Sequence, residues 1–170
     1  PAPDSDAGAC GVKAEDITVL GCKSWGDLAD RVLAGCGVHV SDEHAYARQP
    51  FYRFKVNLWL RRLAPETAVC DSFFRRTLMA DSLIWGSGAP VRIVSLPFIN
   101  EPTRTEFTYY LSQTDKIVPT GDYPTHEVVR HYRFLSAITG REMAPEPPLI
   151  PWRDAPPALP DGGPYVVLNP

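Results

Sequence analysis

Between positions 76 and 93 the chain writes out a helix, a stop and a strand, and few architectures accommodate that order. Leu78, Met79, Ser82, Leu83 and Trp85 recur at helical spacing, Gly86-Ser-Gly-Ala-Pro90 halts the helix, and Val91-Arg-Ile-Val94 reads as a buried strand. A helix that delivers the chain into an apolar strand is the second half of a βαβ unit, whose two strands lie parallel.

The same alternation continues on either side. Ile17-Thr-Val-Leu20 is a β-branched run closed by Gly21, and Ser24 with Asp27 three residues on can cap a helix carrying Trp25, Leu28, Ala29, Val32 and Leu33 on one face. Val38-His-Val40 is the next strand, with Asp42 at its end. Pro50 opens a second helix, expected to turn Phe51, Phe54, Leu58 and Val56 inward and to leave Arg53, Lys55, Arg61 and Arg62 in water. Thr67-Ala-Val-Cys70 follows as a strand, with Asp71 and Ser72 at its carboxyl end. Residues 105–111 read as a short strand or an ordered crossing, and Lys116-Ile-Val118 as a further strand. Pro124-Thr125 then begins a helix with Val128, Val129, Tyr132, Leu135 and Ile138 on one face and Gly140 as its cap.

Strands alternating with helices at this pitch predict an α/β fold, a mainly parallel sheet with helices on both faces joined by right-handed crossovers. Prolines set the boundaries. There are 18 in 170 residues, and eight of them fall in residues 140–164. Residues 1–15 therefore read as an unstructured lead-in, 16–140 as the domain, 141–164 as a proline-rich linker, and Tyr165-Val-Val-Leu168 within 165–170 as one last strand.

A net charge of -3 and a pI near 5.8 give no bulk attraction to nucleic acid or to an anionic membrane, and leave only local basic clusters for such a role. No run approaches the ~20 apolar residues of a membrane span. Cys10, Cys22, Cys36 and Cys70 form no CxxC pair and have no matching histidine spacing, which argues against zinc and for reduced thiols.

In open parallel sheets ligands bind beyond the carboxyl ends of the strands. Those ends offer Lys23, Ser24, Asp42, Asp71, Ser72, Arg75, Arg76, Thr125, His126 and Arg130, a mixture of carboxylates for proton abstraction and guanidinium forks for phosphate or carboxylate groups. Asp42 and Asp71 have an alternative role as helix caps, and Arg75 as a solvated charge. No phosphate-cradling glycine motif follows any strand, and the serine elbow and the His-Glu-x-x-His helix are missing too.

Taken in order, Arg76-Thr-Leu-Met-Ala-Asp81, Ser87-Gly-Ala-Pro-Val-Arg-Ile93, Thr125-His-Glu-Val-Val-Arg130 with Phe134, Leu135 and Gly140, and the terminal Tyr165-Val-Val-Leu-Asn-Pro170 resemble the amino-terminal half of the family nine glycosyltransferases, the ADP-heptose:lipopolysaccharide heptosyltransferases. The resemblance implies a Rossmann-like amino-terminal domain of a two-domain GT-B enzyme. Such an enzyme transfers a sugar, with inversion, from a nucleotide-diphosphate donor to a lipopolysaccharide-type glycan acceptor. It implies no cofactor and no metal. It also implies an anionic glycolipid acceptor, and a cytoplasmic protein peripheral to the inner membrane.

On this resemblance Arg76, His126 and Arg130 face the acceptor, and Asp27 is the candidate for the general base. Two departures qualify it. The family's base sits in a Gly-Asp turn followed by a proline, which Ser24-Trp-Gly-Asp27 lacks, and Ile17-Thr-Val-Leu20 aligns better with the family's second strand. The first strand is then missing and Asp27 becomes a helix cap. The donor-binding half is not in these residues either, so the isolated chain is expected to be inactive. The alternative is a non-catalytic binding or interaction module that kept the fold without the donor domain.

Overall fold

The computed structural model describes residues 11–23, 29 and 32–146. A single 3₁₀ turn, Ala14–Asp16, leads into β1 (Thr18–Cys22), which pairs in parallel with β2 (Gly37–Ser41). There follow α1 (Glu43–Arg48), α2 (Pro50–Leu63), β3 (Thr67–Cys70), α3 (Asp81–Gly86), β4 (Val91–Ser95), α4 (Arg104–Leu111), β5 (Lys116–Val118) and α5 (Glu127–Thr139). Among the described residues all the strand pairs are parallel, as the alternation predicts, and fall into two sheets ordered β1-β2 and β3-β4-β5. The fold is thus α/β, with parallel sheets and interleaved helices.

One apolar core joins β1 to the helices α1, α2 and α3. Tyr46 of α1, Val56 and Leu60 of α2 and Leu83 of α3 are buried together, and Leu20 of β1, Tyr52, Trp59, Leu78 and Met79 pack against them. Burial of each such aliphatic side chain contributes about 1.5–3 kcal/mol. Tyr46 is fully buried, and its hydroxyl lies within hydrogen-bond distance of Asn57 and Ser82, so the core holds a polar contact across three helices.

Two helices differ from their expected form. Residues 104–111 are helical, because Thr103 and Asn100 bond each other through side chain and backbone and turn the chain into α4 before a strand can extend. Sequence periodicity also selects the wrong side of α2. Phe51 is 84% exposed and Phe54 65% exposed, while Tyr52, Val56, Trp59 and Leu60 face the core. The helix carries two apolar stripes, and the one holding Val56 and Leu60 meets α1 and α3. Arg53, expected in water, is half-buried and donates to the carbonyls of Tyr46 and Ala47 at the end of α1.

Candidate functional site

Three loops leave the carboxyl ends of β3, β4 and β5, and the parallel arrangement gathers them on one rim. They are residues 71–80, 96–103 and 119–126. Each supplies one exposed aromatic ring. Phe74 of the first lies 5.5 Å from Phe98 of the second and 6.2 Å from Tyr123 of the third, between ring centroids. Phe74 and Phe98 also line a cleft of about 300 Å³ with Arg75, Arg76, Asn100, Thr103 and Phe107.

Two buried arginines hold this rim from beneath. Arg75 makes a two-point ion pair with Asp81, Nε to Oδ2 and Nη2 to Oδ1 at 2.9 Å each, and both side chains are only 2% exposed. Its remaining donors reach the Ser72 carbonyl at 2.7 Å and the Ser95 carbonyl at 2.9 Å, which ties the loop after β3 to the end of β4. Arg75 is therefore a fastening, not a solvated charge.

Arg130 does the same for the third loop. It is completely buried, its guanidinium lies 3.5 Å from the Phe73 ring centroid, and it donates to the carbonyls of Gly121, Asp122 and Thr125. Glu127 lies 3.3 Å from its Nε. Arg130 was expected to share a solvent-facing side of the helix with His126. The structure puts it underneath, where α5 buries Arg130 and Phe134 more deeply than any residue of the predicted stripe.

His126 is exposed at the start of α5, and its Nδ1 accepts from the Val128 amide at 3.2 Å, so it caps the helix with the ring still open to solvent. Arg76 is exposed on the rim and forms no side-chain hydrogen bond or ion pair among the described residues. It sits in the turn ahead of α3, which begins at Asp81 and not at Arg76 as the sequence pattern suggests. Asp27 lies outside the described residues, as does everything after Glu146.

Asp42 and Asp71 part ways. Asp42 caps α1 by accepting from the Ala45 amide at 2.9 Å and pairs with Lys23 at 2.7 Å. The Lys23 ammonium and the α1 amides hold its carboxyl below the usual carboxylate range. Asp71 caps nothing and instead lies 2.7 Å from Nδ1 of His131, with both side chains close to half-exposed. An ionised Asp71 accepts the Nδ1 proton, which leaves the lone pair of the neutral ring on Nε2. A carboxylate-oriented imidazole of this kind can accept a proton from a hydroxyl held against it.

His131 and the aromatic trio were not read from the sequence. Sixty positions separate Asp71 from His131, and no local pattern joins them. The Phe73-Phe74 pair directly after a strand end was the available signal. Among the described residues no group of three or more His, Cys, Asp or Glu side chains is gathered to hold a metal ion, and no helix is long and apolar enough to cross a membrane. Compared with known proteins, the chain has no match among family models, curated proteins or solved structures.

Proposed function

We propose that this chain is the acceptor-side domain of a sugar-transferring enzyme of the heptosyltransferase kind, with its acceptor held on the rim beyond β3, β4 and β5. The observation that carries the reading is the meeting of Phe74, Phe98 and Tyr123 from three successive loops beside the unpaired Arg76. Aromatic faces take the C–H face of a sugar ring, and a free guanidinium takes a phosphate or carboxylate on that sugar. An anionic glycan is the ligand class that uses both.

On this reading the two sheets are parts of one Rossmann-like sheet, a proposal supported by their common parallel sense and by the helices interleaved between their strands. The transfer itself needs a nucleotide-diphosphate sugar supplied from a second domain. The acceptor hydroxyl loses its proton to a base as its oxygen bonds the anomeric carbon, and the bond from that carbon to the diphosphate breaks. Asp27 is the base only where Ile17-Thr-Val-Leu20 is taken as the family's first strand, and a helix cap where it is the second. The His131–Asp71 pair is the described group able to take the same proton.

Calorimetric titration of the 170-residue chain with a phosphorylated heptose and with the same sugar dephosphorylated tests the site. The phosphorylated sugar should bind more tightly, and Arg76→Ala should remove about tenfold of that affinity, the scale of one charge-assisted hydrogen bond. Equal binding of both sugars, or affinity unchanged in Arg76→Ala and Phe74→Ala, rejects the site.

A further inference from the structure

The outer stripe of α2 stays uncovered at Phe51 and Phe54 among the described residues, with Leu58 half-buried at its far end. Phe51, Phe54 and Leu58 recur at positions i, i+3 and i+7 and so lie along one line of the helix. The two phenylalanines are 84% and 65% exposed, an unusual state for rings of that size on a helix whose opposite side already fills the core. Lys55 and Arg62 each follow a member of the stripe by one turn, and both are exposed without a side-chain partner among the described residues. Across its whole length, Pro50 to Leu63, the helix carries Arg53, Lys55, Arg61 and Arg62 and no acidic residue, in a chain whose net charge is -3.

We propose that α2 is a membrane-surface docking helix that lies flat on an anionic lipid bilayer, with Phe51 and Phe54 inserted at the headgroup level and Lys55 and Arg62 on the lipid phosphates. Three physical points favour a lipid surface over other occupants. Aromatic rings flanked by Lys and Arg match the boundary between headgroups and acyl chains, where the apolar side of such a helix sinks roughly 5–10 Å. Lysine is depleted from the centres of protein interfaces, yet here it borders the stripe directly. A second copy docked stripe to stripe about a two-fold axis would bring the cations of α2 near those of its duplicate with no acidic residue on either helix to offset them. The 14-residue helix is also too short to cross a bilayer, so it lies on the surface and does not span it.

Flotation of the full 170-residue chain with vesicles tests this independently of any sugar binding. Vesicles of phosphatidylcholine alone are compared with vesicles containing one part phosphatidylglycerol to two parts phosphatidylcholine. The chain should float with the anionic vesicles, much less with the neutral ones, and should be released by added salt. Phe51→Ser with Phe54→Ser, and separately Lys55→Glu with Arg62→Glu, should each lower the bound fraction about tenfold with the circular dichroism melt unchanged, since all four side chains are exposed. Failure to float with anionic vesicles, or flotation indifferent to both pairs of substitutions, overturns the proposal. So does a dimer in sedimentation that the serine pair abolishes, because a second copy then owns the stripe.

Discussion

At the scale of single residues, the side chains that matter most to the rim never reach its surface. Arg75 and Asp81 are each 2% exposed and satisfied by each other, so removing one partner strands a buried charge. Asp81→Asn should lower the unfolding free energy by about 3–5 kcal/mol in urea melts, whereas a loss below about 1 kcal/mol would mean that the pair behaves like a surface contact. A second residue-scale expectation concerns Cys22. Burial, reinforced by the neighbouring Glu43 carboxylate, pushes its thiol from 9.0 to about 11. Because folding favours the protonated form, this contribution to stability is fully present below 9.0 and disappears as the pH rises through about 11. In a variant whose other cysteines are serine, iodoacetamide should alkylate Cys22 about a hundredfold more slowly at mildly alkaline pH than a model thiol. Glu43→Gln should restore part of the rate, and reaction at the model rate in the parent would contradict the expectation. The positions of Arg76 and His126 beyond strand ends were legible in sequence. The roles of Arg75, Arg130 and His131 were not, since nothing local distinguishes an arginine that faces water from one that holds three carbonyls.

At the scale of elements, the strands were the most legible part. The runs at 17–20, 38–40, 67–70, 91–94 and 116–118 became strands to within a residue or two, because a short apolar run bounded by glycine or proline has few other ways to bury itself, whereas 105–111 is helical and 165–168 lies outside the described residues. Helix existence was equally readable for α2 and α5, but helix rotation was not. α2 carries apolar side chains on both sides, so its periodicity has two solutions, and only contact with α1 and α3 chooses between them. The end of α2 offers a direct test of local strain. Ala64 terminates it in the left-handed region at φ 46°, where a Cβ is unfavourable, and Pro65 follows. Ala64→Gly should therefore stabilise the chain by about 1 kcal/mol in thermal melts. Gly140, at φ 69° after α5, is the mirror case, and Gly140→Ala should destabilise by a similar amount. A shift of the same sign in both variants would remove the left-handed cap as the explanation.

At the scale of the whole molecule, the two sheets differ in how firmly they are held. β4 is paired on both sides, and Val94 and Ser95 are fully buried, whereas among the described residues β1 and β2 have only each other. Amide exchange should be slowest at positions 93–95 and clearly faster along β1, while equal protection in both sheets would show that they open together. The loops of the rim grow from the better-held sheet and are fastened to it by Arg75 and Arg130, which is where a binding surface needs rigidity. The sequence by itself determined the α/β class, the parallel sense of the strands and which polar residues stand beyond the strand ends, because hydrophobic period and turn residues act over a few positions. Only the tertiary structure decided which arginines are buried, that Asp71 meets His131, that three loops present one aromatic face, and which stripe of α2 is left uncovered. Those outcomes depend on contacts between segments tens of residues apart, which periodicity within one segment cannot encode.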